Sequence, residues 1–542
     1  MHKVKSIVIM VLFLLVTVGM GVSIHFSIEG DSDADYIVET NVPFMPFEFY
    51  KNRQIVGVDV DIIDRVAKKM DKKFQIQNVE FDVIIDNVGT GKIADAGAAG
   101  LTITPAREEK VNFTIPYYTS VQYVIFGQDN PPSLRGDHVV WESLAGYNIG
   151  SQIGSTGYLF VDDEIENGVL KDTETSIKGI DSHQLAADGI SSHIIDFAVA
   201  DELVAKFIVE KNPGLEALPL YYSGKTREED YPVEEQYAIA VNKEKPELLA
   251  AFNEVLAEMT IEDENGKTEI DKLVLSYIDA SNETMPEEET DNKEEKETEE
   301  EEIAVVSPIK SFFKKVGDLF STPEYIDSML HGFWLTIQVS YFAILMGMIL
   351  GAIIALIDTA KKSKWLAVPK FICLVYTTII RGTPMALQLF IMFFVIFAIK
   401  GFPSIITAIV AFGLNSAAYV SEVIRGGILS VDKGQTEAGL ALGLSRSTIF
   451  FKIVAPQAIK NIIPALGNEI ITVIKETAIV SMVGMYDLNM AAKDIGSGQN
   501  MASYIVPMFV AALFYLATIY LITFVVKLVE KSLRKSDLRT EE

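Results

Sequence analysis

The chain has 542 residues, more than one ordinary domain holds. It combines 49% hydrophobic residues and a mean hydropathy of +0.25 with 22% charged residues, so a polar part and a membrane part are expected in one polypeptide. A formal net charge of −28 excludes a nucleic-acid partner, whose phosphates need a basic surface, and the single cysteine, Cys373, leaves no internal disulfide and no cysteine-built zinc site.

Lys3 and Lys5 precede an apolar run from Ser6 to Ile24, long enough to cross a bilayer. Residues 1–28 therefore read as a signal peptide or a signal anchor helix. No clean small-residue cleavage site comes after it, which favours the anchor. In both cases the lysines stay inside and the next segment is exported.

Residues 36–280 alternate strand-like runs ("DYIVET", "QYAIAV") with helical ones ("DVDIIDRVAKKM", "ELLAAFNEVLAEM"). That alternation predicts parallel sheets with helices on their faces. Between Ser281 and Glu302 the composition changes to twelve acids against two lysines. Such a segment has almost nothing to bury, so 281–306 is expected to be a disordered acidic linker. On the flexible-chain rule it spans roughly 28 Å root-mean-square, keeping the exported domain concentrated near the C-terminal half of the chain. Residues 307–320, "SPIKSFFKKVGDLF", gather Phe312, Phe313, Val316, Leu319 and Phe320 on one helical face. They read as an amphipathic helix, on the outer membrane surface or packed on the membrane domain.

Residues 329–528 read as a membrane domain with five spans, at about 329–357, 366–399, 404–427, 461–485 and 502–528. The second contains Pro384 and is expected to bend. With the exported domain outside, the basic residues fall on the inner segments: Lys361, Lys362 and Lys364; Arg446, Lys452 and Lys460; Lys527, Lys531, Arg534 and Lys535. The expected outer turns hold only Lys400 and Lys493. Glu469, Lys475 and Glu476 lie inside the fourth span, where charges are costly and face a cavity or one another. Glu469 and Lys475 are candidates for the translocation path, with an ion pair in the packing interface as the alternative.

The inner loop between the third and fourth spans reads "EAGLALGLSRSTIFFKIVAPQAIKNIIPAL" from Glu437. Its Glu437-Ala438-Gly439, Gly443, Ile453 and Pro456 resemble the EAA loop (437–457) of ABC importer permeases, with Gly439 where alanine is commoner. "RGTP" within Tyr376–Phe390 resembles the polar amino-acid branch of that family. The resemblance implies a type I ABC importer transmembrane fold whose loop forms a coupling helix on a cytoplasmic ATPase. The chain has no phosphate-binding P-loop: "GTGKI" (89–93) lacks the first glycine at the required spacing and the Ser or Thr after the lysine. ATP and its Mg ion are therefore expected on a separate ATPase, present in two copies. This chain is expected to be no enzyme, and to bind no metal or other cofactor.

"VPFMPFEFYKNRQIVGVDVDIIDRVAKKM" (42–70) and "GLTITPAREEKVNFTIPYY" resemble the polar amino-acid binding proteins of such systems. The resemblance implies a two-lobed α/β periplasmic-binding-protein-like domain of type II, fused to the all-α permease. Its first lobe falls at 36–125 plus 237–280 and its second at 126–236. An α-carboxylate suits a bidentate guanidinium, and Arg107 stands in the family's carboxylate-binding position. Gly100 and Thr102 match positions that hold the ligand's ammonium and carboxylate. Ser155 and Thr156 match a turn that completes the carboxylate site. Asp201 matches the ammonium-binding acid, with a helix N-cap as its competing role. Phe44 and Phe81 match the aromatics that sandwich the ligand. Asn41 stands where several relatives carry Asp, which favours glutamine or glutamate over a cationic side chain.

The expected assembly is an importer of polar L-amino acids, multi-pass in a bacterial cell membrane, its binding domain extracellular and its EAA loop and C-terminus cytoplasmic. Two copies of the chain are expected, with a heterodimer open. A ligand-gated channel or an amino-acid sensory receptor on the same binding domain is the alternative. No "TVGYG"-like filter supports the first and no signalling module the second.

Overall fold

The computed structural model describes residues 34–51, 54–180, 182–283, 308–360, 364–399, 401–497 and 505–538. The N-terminal apolar segment, most of the acidic linker and the basic group 361–363 lie outside the described residues.

The polar part forms two sheets. The first runs, in spatial order, Phe74–Asn78, Tyr36–Thr40, Ala96–Gly97, Ala240–Val241 and Asn112–Phe113. Tyr36–Thr40 pairs in parallel with both neighbours, whereas Ala240–Val241 is antiparallel. The helix Val58–Met70 covers it, burying Val58, Ile62, Ile63 and Val66 at helical spacing. Asp59 and Asp61 in its first turn and Lys68 and Lys69 in its last complement the helix dipole.

The second sheet is ordered Ser176–Ile180, Asn148–Gln152, Phe197–Asp201, Tyr118–Gly127, Leu215–Tyr222 and Tyr231–Pro232. The chain crosses between lobes on two antiparallel strands, with Tyr118–Val121 opposite Glu234–Tyr237. Tyr118–Gly127 pairs along its length with second-lobe strands. The outgoing crossing therefore lies next to Tyr117, ahead of the 125/126 division read from the sequence. A long apolar run gives no internal mark of where a strand changes sheets.

Among the described residues, five helices are long and apolar enough to span a membrane: Pro323–Thr359, Lys364–Gly382, Ser404–Leu429, Arg446–Val483 and Ile505–Leu533. The first and third pack at close range. A Cβ on Gly351 would come within 2.7 Å of Val420. The second helix stops at Gly382, and an apolar helix, Met385–Ile396, comes after Pro384. At this break Gln388 Nε2 donates to the carbonyls of Ile380 (2.7 Å) and Thr383 (3.1 Å). An amide side chain thus satisfies backbone acceptors that proline leaves open. The fourth helix begins at Arg446, well before the expected 461, because the loop sequence itself is helical.

The helix Pro308–Ser321 packs on the membrane domain. Phe312 meets Phe509 at 5.2 Å between ring centroids, and Leu319 is buried with Met329 and Leu488.

Candidate functional site

The cleft between the lobes gathers most of the candidate residues. Asn41, Phe44, Phe81, Gly100, Ser155, Thr156 and Asp201 line one small cavity, together with Glu48, Ala99, Gln152, His183 and Glu235. Its volume is about 20 Å³, room for about one water.

Local chemistry positions each group. Pro105–Glu108 is a single helical turn capped by Thr104, whose hydroxyl accepts from the Arg107 N–H. The turn delivers the buried Arg107 guanidinium to the cleft edge. Nη1 donates to the Thr102 carbonyl (2.8 Å) and Nη2 to the Gly154 carbonyl of the other lobe (3.0 Å). Its carbon lies 5.6 Å from the centre of the Phe81 ring. Gly100 holds φ 54, and a Cβ there would fall 2.4 Å from Phe44 Cε1, so only glycine lets the Phe44 ring lie against this backbone.

Ser155 caps the helix Thr156–Glu166, accepting from Tyr158 N–H. Ser155 and Thr156 therefore sit at a helix N-terminus, where backbone N–H groups favour an anion. Asp201 occupies the N-cap position of Glu202–Lys211 but makes no capping hydrogen bond. Its Oδ1 instead accepts from Gln122 Nε2 at 2.5 Å. The competing cap role read from the sequence is thus not the one its side chain performs.

Three hydrogen bonds close the cleft across the lobes: Arg107 to Gly154, Thr156 Oγ1 to Thr102 Oγ1 (2.7 Å), and Gln152 Nε2 to Asn41 Oδ1 (3.1 Å). Sequence reading missed Gln152, His183 and Glu235. Glu235 lies on the returning crossover strand, where it reads as one of a run of surface acids. Thr102 Oγ1 donates to Glu235 Oε2 at 2.6 Å, and Gln122 Nε2 donates to Glu235 Oε1 at 2.5 Å. Burial first, and then the nearby Asp201, push the Glu235 carboxyl well above the usual carboxylate range. His183 Nδ1 is buried with no hydrogen-bond partner among the described residues. Burial holds its imidazole below the usual pKa, so it is neutral at pH 7.

The closed lobes rest on the membrane domain. Tyr50 meets Tyr486 edge-on at 5.1 Å, and Glu80 lies 3.7 Å from Lys493 Nζ. Tyr486 donates to Asp494 at 2.5 Å, and burial pushes the Asp494 carboxyl up to about 7. A chamber of about 410 Å³ lies along the seam. Phe81, Gln152 and Ile153 form one wall, and Phe390, Met482 and Asn489 the other. Phe81 and Gln152 also line the cleft, so cleft and chamber share a wall.

In the loop, Lys433–Ala441 forms a helix carrying exposed Glu437 and Ala438 and a buried Gly439 against Ile449. Gly443, at φ 76, turns the chain into the helical turn Arg446–Ile449. Ile453 is half-buried and Pro456 exposed, while Leu440, Leu442 and Phe451 present apolar surface nearby. In the fourth span Glu469 is half-buried and Lys475 exposed. No ion pair joins them among the described residues, because a spacing of six puts them on different helix faces. Glu469 and Glu476, seven apart, share one. Among the described residues no cluster of His, Cys, Asp and Glu could hold a metal.

A two-lobed clamp seated on a five-helix membrane domain defines a solute-binding protein joined to a transport permease. Residues 36–271 match the bacterial extracellular solute-binding proteins, family 3, and residues 333–535 match the binding-protein-dependent transport system inner membrane component. The arginine transport system permease protein ArtQ of Bacillus subtilis (strain 168) is 39% identical over 224 residues, 41% of this chain and 99% of that protein. The putative glutamine transport system permease protein GlnP of Rickettsia felis is 39% identical over 208 residues, 38% of this chain and 92% of that protein. A solved amino acid ABC transporter substrate-binding protein, AbpA from Streptococcus pneumoniae bound to L-arginine, is 25% identical, with a TM-score of 0.38. The similarity covers 45% of this chain and 94% of AbpA. The chain belongs to the amino-acid ABC transporter permease family and carries a family 3 solute-binding domain fused ahead of the permease.

Proposed function

We propose that the chain captures a polar L-amino acid outside a bacterial cell and passes it to its own permease domain. A separate cytoplasmic ATPase, docked on the loop 437–457, drives transport. The single observation that carries this reading is the cleft itself. A helix N-terminus and an Asp released from capping line one cavity, and the Arg107 fork sits at its edge on the Thr102 and Gly154 carbonyls, a set suited to the carboxylate and ammonium of an α-amino acid. The shared wall between cleft and chamber supports delivery to the permease without passage through bulk solvent.

Glutamine is the leading cargo, with glutamate next. Besides the hydroxyl pair, the cleft is bridged side chain to side chain by two neutral amides, Asn41 and Gln152, which suit another amide and do not neutralise a guanidinium. Two chains and two ATPases complete the assembly, since one permease domain lines half a pathway. The test is uptake of each of the twenty labelled amino acids by proteoliposomes holding the full chain and its ATPase. ATP-dependent accumulation of glutamine is expected. Accumulation of arginine or lysine alone would remove the argument from Asn41, and ligand-gated ion current without uptake would overturn the importer reading.

The loop gives a second expectation. Gly443→Val puts a β-branched side chain into left-handed backbone, at a cost of about 1–2 kcal/mol. Amino-acid binding should be unchanged, while ATPase co-purification and uptake both fall. Normal uptake by this variant would rule out a coupling role for the turn.

A further inference from the structure

We infer that Glu235 joins Asp201 in holding the amino acid's ammonium, and that Glu235 keeps a proton in the cargo-free cleft and gives it up to solvent when the ammonium arrives. The inference rests on the amino-acid reading of the cleft.

Both carboxylates line the same cavity and accept from the same nitrogen, Gln122 Nε2, at 2.5 Å each. Gln122 itself is fully buried. Two buried carboxylates on one donor cannot both carry charge cheaply, so a proton held on Glu235 is the low-energy state. Asp201 leaves its helix uncapped, and His183, whose buried Nδ1 has no hydrogen-bond partner among the described residues, lines the same cavity.

The surrounding charges set the direction. Arg107, from the turn Pro105–Glu108, acts on Glu235 and favours its ionised form. His183, from the helix His183–Ser191, is held neutral by burial. Tyr237, on the Glu235 strand, keeps its proton, as burial pushes the phenol up. Glu48, on the opposite wall, is buried beside Asp59 and is pushed up likewise, so it adds no charge. A zwitterion brings no net charge, but it sets its positive end on the pair and its negative end on Arg107. The ammonium is then the nearer charge and stabilises the ionised form of Glu235. No bond to carbon changes: the carboxylic O–H breaks, its electron pair stays on oxygen, and the proton passes to the buffer.

The experiment is titration calorimetry of the full chain in detergent with L-glutamine, and with L-arginine as a second probe. Each runs at one pH in two buffers of different ionisation enthalpy. The expected result is a heat that differs between buffers by up to one proton released per ligand. Affinity should rise with pH, by up to about tenfold per unit where Glu235 is protonated. Glu235→Gln keeps the shape and fixes that side chain neutral. It should remove most of the release, flatten the pH profile and weaken binding about tenfold. Identical heats in both buffers for the wild-type chain, or full release retained in Glu235→Gln, would overturn the inference while leaving amino-acid capture intact. Failure of all twenty amino acids to bind would sink both readings.

Discussion

Arg107→Ala is expected to abolish capture of amino acids by the receptor domain. The guanidinium is buried at the cleft edge and bridges the lobes through the carbonyls of Thr102 and Gly154. Truncating one partner of a buried charge pair costs about 2–5 kcal/mol, so Kd should rise at least about 30-fold for every amino acid that binds. Arg107→Lys keeps the charge but loses the planar fork, and should fall between the two. The loss should be uniform across side chains, because the α-carboxylate is common to all. Calorimetry on the full chain decides it: unchanged affinity in Arg107→Ala would remove this residue from the site.

Gly484→Leu should do the opposite, leaving capture intact and stopping transport. Gly484 ends the turn Thr477–Val483 at φ 77, in left-handed backbone. A Cβ there would lie 1.6 Å from the Asn78 carbonyl oxygen of the receptor domain. Both sides of that clash are backbone, so no rotamer change relieves it, and the seam must part. Binding heats should match wild type, while uptake and amino-acid-stimulated ATP hydrolysis fall at least about tenfold, which corresponds to about 1.4 kcal/mol lost at the docked state. Gly484→Ala should show a milder form of the same split. Normal uptake by both variants would show that the receptor does not deliver from this seat.

The two architectures were legible because their signals are local. Helical spacing in 58–70, the five apolar runs and the strand–helix alternation each need only a short window. The cleft was half legible. Gly100, Thr102 and Arg107 lie within eight residues of one another, so a compact motif marks them. Gln152 and Glu235 belong to the site only because the second lobe folds over and the crossover strand returns beside Gln122. No short window holds that information. In "PVEEQYAIA" a buried acid reads the same as its exposed neighbour Glu234, since only strand register decides which side faces the cleft. The docking seam was invisible for the same reason: Tyr50, Glu80, Tyr486 and Lys493 are ordinary surface types, hundreds of positions apart.

The hydrogen bonds that shut the cleft bear on which amino acids are turned away. Thr156–Thr102 and Gln152–Asn41 are bonds the protein makes with itself. A cargo entering there does not fill an idle space; it trades places with an internal partner worth about 0.5–1.5 kcal/mol. Glutamine restores donors and acceptors to Asn41 and Gln152. Leucine or valine, of similar bulk, would strand both amides in a dry cavity. With the cargo proposed above, apolar amino acids should be rejected by exchange, with no steric wall needed, and the receptor's preference would be a margin over its own self-association.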